Sequence, residues 1–159
     1  MEGVKTDEKR ESNELNLKEM AAHCFDTLLA KLSGKGEHPK YPDDIHDPFH
    51  PVFVTWTIGE EDELRGCIGT FTEQRASVIL GKYALYSALR DDRFDPIELS
   101  EVPELSVGVS LLVNFTKIED PLAWEVGKHG ISIEFTTVNS KRTYSSTFLP
   151  EVAAEESWD

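Results

Sequence analysis

The chain has 159 residues, 39% of them hydrophobic and 29% charged, which is one domain's worth of a globular protein with enough apolar side chains to bury a core. Thirty Asp+Glu against 16 Lys+Arg leave a formal net charge of -14, a field that repels phosphate backbones and anionic lipid and so argues against nucleic-acid and membrane partners. No apolar run is long enough to cross a bilayer, and the polar N-terminus holds no secretory h-region; the expectation is a reducing compartment with Cys24 and Cys67 as free thiols.

In chain order, residues 1–14 carry alternating charges and few apolar groups and read as a disordered tail ahead of a domain spanning 15–159. Asn16 and Glu19 have the spacing of a capping box, and Met20, Ala21, Cys24, Phe25, Leu28, Leu29 and Leu32 follow as a helical stripe that Gly34 stops. The stretch 35–51 is rich in Pro, Asp and His and reads as a loop. Its His46 and His50 have an i, i+4 interval, but Pro48 and Pro51 disfavour the helix that would aim both at a metal, so neither a metal nor a cofactor is expected.

Residues 52–58 have the β-branched and aromatic character of a strand, 59–63 are an acidic turn, and 64–71 return as its partner with Gly66 and Gly69 inside. Glycines within a strand suggest a bulge or a close backbone approach. From Ser77 the pattern is helical, with Leu80, Ala84 and Ala88 on one face flanked by Tyr83 and Tyr86, and Pro96 bars its continuation. Leu105, Val107, Val109, Leu111 and Val113 alternate as a half-buried strand. Asp120 and Pro121 have the form of an N-cap and first helical residue for a short helix through Val126, and 127–130 make a turn. Residues 131–135 and 143–149 form a second hairpin around Asn139 and Ser140. The sum is an α+β domain, a mixed and mostly antiparallel sheet with helices packed on it.

The segment Leu64-Arg65-Gly66-Cys67-Ile68-Gly69-Thr70 closely resembles the signature of the AMMECR family. Three further segments resemble it in order: residues 87–94 (Ser-Ala-Leu-Arg-Asp-Asp-Arg-Phe), 124–130 (Trp-Glu-Val-Gly-Lys-His-Gly) and 148–152 (Phe-Leu-Pro-Glu-Val). The resemblance runs from about Met20 to the last residue, and the wording of 126–130 is similar to the eukaryotic branch. It implies an α+β domain with a cleft, found in cytoplasm or nucleus, with no settled reaction. It also implies a further C-terminal helix and closing strand beyond Asp159. An apolar groove beside the second hairpin and the first helix is therefore expected, with marginal stability or a cover from a partner or a second copy.

Along a regular strand Arg65, Cys67 and Gly69 share one face, so the guanidinium could approach the Cys67 sulfur and favour its thiolate, the reactive form. Gly66 and Gly69 would leave room for a ligand. Equally, Cys67 reads as a small buried hydrophobe between glycines placed for packing. His129, between two glycines, is a candidate base for Cys67 or simply an exposed turn residue. Arg90, Asp91 and Arg93 either complement a helix C-terminus or line a cleft beside Arg65 that takes an anion. Two functions are compatible with these residues: a regulatory, protein-binding module, or a small-molecule enzyme or redox protein with Cys67 as its cleft thiol.

Overall fold

The structure, a computed structural model, describes residues 4–34, 39–113, 115, 119–120, 122–138 and 142–155. The chain divides into two units, Met1–Asn114 and Phe115–Asp159.

The first unit opens with α1 (Val4–Leu32). It starts twelve residues ahead of the position the capping box suggested, so residues 4–14, expected as a tail, lie within the helix. Straight-chained Lys, Glu and Arg dominate that stretch and lose little rotamer freedom in a helix. Nor is Asn16 a cap: its Oδ1 accepts the His46 backbone N–H at 3.1 Å, which ties the following loop back to the helix. Met20, Cys24 and Leu28, one turn apart, are buried, and Gly34 ends the helix with φ +69, a conformation open to glycine at little cost.

The loop gives way to β1 (Phe49–Ile58) three residues earlier than composition suggested; β2 (Glu63–Arg75) folds back on it and leads into α2 (Ala76–Leu89). A 3-10 turn (Val102–Glu104) precedes β3 (Leu105–Leu111), which stops short of Val113. The sheet order is β2-β1-β3, with both pairings antiparallel. Period-two alternation sends Val52, Val54 and Trp56 of the central strand inward, where they meet Leu80, Ala84 and Ala88 of α2 and the buried stripe of α1. Burying each large aliphatic or aromatic side chain contributes about 1.5–3 kcal/mol. The Trp56 indole N–H is satisfied inside this core by the Ala84 carbonyl at 3.0 Å, and Phe25 packs edge-on against the Trp56 ring.

The second unit holds the antiparallel hairpin β4 (Ile131–Thr136) and β5 (Thr143–Phe148), then α3 (Pro150–Glu155). The turn around Asn139 and Ser140 lies outside the described residues. The short helix expected from Asp120 through Val126 is not formed over 122–126. The Asp120 Oδ1 accepts the Leu122 N–H at 2.9 Å and its carbonyl the Ala123 N–H at 3.0 Å, which closes a single turn that is not propagated. Among the described residues no helix is long and apolar enough to cross a membrane.

Candidate functional site

The signature segment is the part of β2 that faces β1 across a break in register. Trp56 pairs with Gly66 and Thr57 with Leu64, so Arg65 is an extra residue, a β-bulge. A bulge re-aims its side chain, and Arg65 therefore leaves the regular alternation that would have set it beside the Cys67 sulfur. Its Nε and Nη2 donate to the Glu101 carboxylate at 2.7 and 3.0 Å, a bidentate fork, and its Nη1 donates to the Asp95 carbonyl at 2.7 Å. With 14% of its side-chain surface exposed, the guanidinium is a strut between β2 and the segment after α2. That hydrogen bond holds the Glu101 carboxyl below the usual carboxylate range.

The two glycines answer the choice between bulge and close approach with both. A Cβ on Gly66 would run into the Ser87 carbonyl of α2, and one on Gly69 would meet the Phe53 ring and the Val52 carbonyl. At Gly66 the strand backbone lies directly on the helix; at Gly69 the space is filled by the neighbouring strand's own ring. Cys67, between them, is half-buried, pairs across the sheet with Thr55, and has the Thr55 hydroxyl 3.1 Å from its sulfur.

Asp91 is the hub beneath Cys67. Only 7% exposed, it accepts the Cys67 backbone N–H at 2.9 Å on Oδ2, while Arg93 donates to both its oxygens at 2.9 and 2.7 Å. Burial alone would push this carboxyl up; the hydrogen bonds from Arg93 and Cys67 outweigh it and hold Asp91 below the usual carboxylate range. Arg93 also reaches the Cys67 carbonyl at 3.3 Å. Its pairing with Asp91 raises its pKa further. Thus Cys67, Asp91 and Arg93 form one cluster, with Arg65 adjacent in the strand but committed to Glu101.

The other candidates lie elsewhere. Arg90 is the C-cap of α2 and stacks over the Tyr86 ring, 4.8 Å from its centroid. His129 belongs to the second unit, where its Nδ1 accepts the Glu125 N–H at 3.0 Å and so places the proton of the neutral ring on Nε2; Lys128 pairs with Glu125 at 2.9 Å. Cys24 is a core residue whose thiol burial pushes up to about 12. His46 and His50 sit in coil and strand, and among the described residues no three His, Cys, Asp or Glu converge as metal ligands. Sequence reasoning missed Glu101, which lies 36 residues from Arg65 in an unremarkable acidic stretch, and Thr55, one of several strand threonines. Nothing local in the sequence marks either.

An α+β domain built around a bulged Leu-Arg-Gly-Cys-Ile-Gly strand, locked by an Asp–Arg pair at the end of the following helix, is the class these features define. The chain belongs to the AMMECR1 family, whose model matches residues 21–159. It is 48% identical over 144 residues to Uncharacterized protein At2g38710 of Arabidopsis thaliana (89% of this chain, 66% of that protein). It is 42% identical over 147 residues to Uncharacterized protein C688.03c of Schizosaccharomyces pombe (91% and 75%). The crystal structure of Uncharacterized Protein PH0010 from Pyrococcus horikoshii matches with a TM-score of 0.71 at 30% identity, over 88% of this chain and 71% of that one. The matched stretches span 51% to 75% of the length of the curated relatives.

Proposed function

We propose that the domain is a regulatory module that works by binding a protein partner. The observation that carries this reading is the β4–β5 hairpin. Ile131, Ile133 and Phe135 alternate on one face opposite Phe148, Ser146 and Tyr144, while Ser132, Glu134, Thr136, Thr143 and Thr147 make the other face polar. On the apolar face Ile133, Phe135 and Tyr144 remain 40%, 51% and 39% exposed. A two-stranded hairpin is at best marginal by itself, and an apolar face of this kind is stabilised by being covered. The signature fits the same reading, because the charged groups around Cys67 are engaged in holding β2 to the end of α2.

Phe135→Glu is the test, read by cross-linking mass spectrometry in cells and by thermal unfolding. The reading expects an unchanged unfolding transition and the loss of specific cross-links to a protein partner at the hairpin. A transition lowered by several degrees, or a longer version of the chain that buries Phe135 itself, would overturn it. The thiol-enzyme reading has one observation in its favour, the half-buried Cys67 sulfur within reach of the Thr55 hydroxyl. It expects alkylation of Cys67 to be half-maximal clearly below pH 8.5, the ordinary thiol value, and that midpoint to rise in Arg93→Gln.

A further inference from the structure

A groove of about 620 Å3 opens between α1, the segment 39–41 and α2, within the first unit. None of Arg65, Cys67, Asp91 or Arg93 lines it. Its size is that of a small-molecule site, roughly 300–1,000 Å3. Lys31, Lys40, Lys82 and Arg90 line it, four of the chain's 16 Lys and Arg, and no carboxylate does so among the described residues. In a chain with a formal charge of -14 that is a strong local reversal of sign. Exposed charges more than about 8 Å apart are largely screened at physiological salt, so the local cations and not the net charge decide what binds here.

Among the described residues none of the four cations forms an ion pair. Lys82 Nζ and the Arg90 guanidinium stand 5.3 and 4.8 Å from the centroid of the Tyr86 ring, which orients both. The nearest helix N-terminus is not the anion site, because Asp47 already accepts the Ser77 N–H and hydroxyl at 2.8 and 2.9 Å and pairs with Arg75. The floor is made by His23 and Thr27, both buried, and burial lowers the His23 pKa, so that ring is a neutral hydrogen-bonding group and not a fifth cation. Val78, Leu85 and Leu89 supply an apolar wall. A phosphate monoester carries about 1.5 to 2 negative charges and three acceptor oxygens, which suits several lysines and an arginine; a carboxylate needs only one. Its volume is that of a compact ligand, which favours a small molecule over an extended peptide.

We infer that the α1–α2 groove binds a small phosphorylated metabolite, a phosphate monoester held by Lys31, Lys40, Lys82 and Arg90 with its organic part against Leu85, Leu89 and the Tyr86 ring. This site does not rest on the hairpin reading, and either can fail alone. Calorimetry and thermal shift on the full chain test it with AMP, phenyl phosphate, inorganic phosphate and a phosphoserine peptide. One-site binding of at least one of the two esters is expected, weakened about tenfold in the double variant Lys40→Gln/Lys82→Gln and untouched in Lys128→Gln. Both exchanged lysines are exposed, so the fold is retained. Four results would overturn the inference: neither ester binding at millimolar concentration, equal weakening by Lys128→Gln, inorganic phosphate as tight as the esters, or binding of the phosphoserine peptide alone.

Discussion

Removing the Asp91 carboxylate is the sharpest test of how the signature strand is held. In Asp91→Ala the Cys67 N–H loses its acceptor in a partly buried position, and an orphaned donor of that kind costs about 1–3 kcal/mol. The lost pairing with Arg93 adds less, because that guanidinium is 54% exposed and recovers water; a screened pair is worth about 1 kcal/mol or below. The expected loss is therefore about 2–3 kcal/mol, out of the roughly 5–15 kcal/mol that a domain has. Urea unfolding should show it as a lower midpoint at unchanged slope. The effect also has a pH signature. Asp91 has a folded pKa below its unfolded value, so its stabilisation is complete above the unfolded value of about 3.9 and is lost as pH falls through the lower folded one. The gap between wild type and variant should thus be constant near neutrality and close below about pH 4. A loss under about 0.5 kcal/mol at pH 7, or a gap that widens in acid, would refute the role given to this carboxylate.

Gly66→Ala and Gly69→Ala should each cost about 3 kcal/mol in the same assay, since the new methyl meets the Ser87 carbonyl in one case and Phe53 with the Val52 carbonyl in the other. Near-neutral behaviour would refute the close approaches at Gly66 and Gly69. Under native conditions a thiol reagent should modify Cys67 and spare Cys24 until the chain unfolds, and equal rates would contradict the burial of Cys24. Trp56→Phe should cost about 1–2 kcal/mol for the lost bond to the Ala84 carbonyl, read as a lower thermal midpoint. The chain should pass through a DNA column at physiological salt, with retention that falls steeply with added salt as the contrary result.

Where one period dominates, the fold is legible in the sequence. Val52, Val54 and Trp56 announce a strand with one buried face, and Leu80, Ala84 and Ala88 announce a helix, because both elements are held by the same side chains that make the pattern. Other features have no such local carrier. The N-terminal extension of α1 depends on backbone propensity where hydrophobic pattern is silent. The helix expected after Asp120 is absent over 122–126 because its apolar side chains find little cover: Leu122 and Val126 stay exposed, so no burial holds a second turn. The bulge at Arg65 is a property of two strands in register, which one strand's sequence does not contain. The α3 helix carries Pro150 at its first position, a start signal the sequence does contain, but its six residues are too few for an apolar period to show.

The same distinction governs the site. Arg, Gly, Cys and Gly in one strand look like chemistry when read alone, since each residue type also serves catalysis. In three dimensions Arg65 answers Glu101, Gly66 answers Ser87, and Asp91 answers the Cys67 backbone, so the density of unusual residues measures how many separate elements meet at this strand. The joint fixes the end of α2, and with it the turn on which Arg90 and Tyr86 face the basic groove. A substitution in the signature would therefore disturb the end of α2, and ligand binding at the proposed groove, without touching the groove itself. Loss of function in Arg65→Ala carries no information about thiol chemistry unless unfolding is measured on the same protein. The discriminating variant is one that leaves the joint intact and changes the sulfur alone: Cys67→Ser keeps the backbone N–H on Asp91 and the cross-strand partner Thr55. Unchanged stability with lost function would bring the thiol forward, whereas unchanged stability with retained function assigns the strand to architecture.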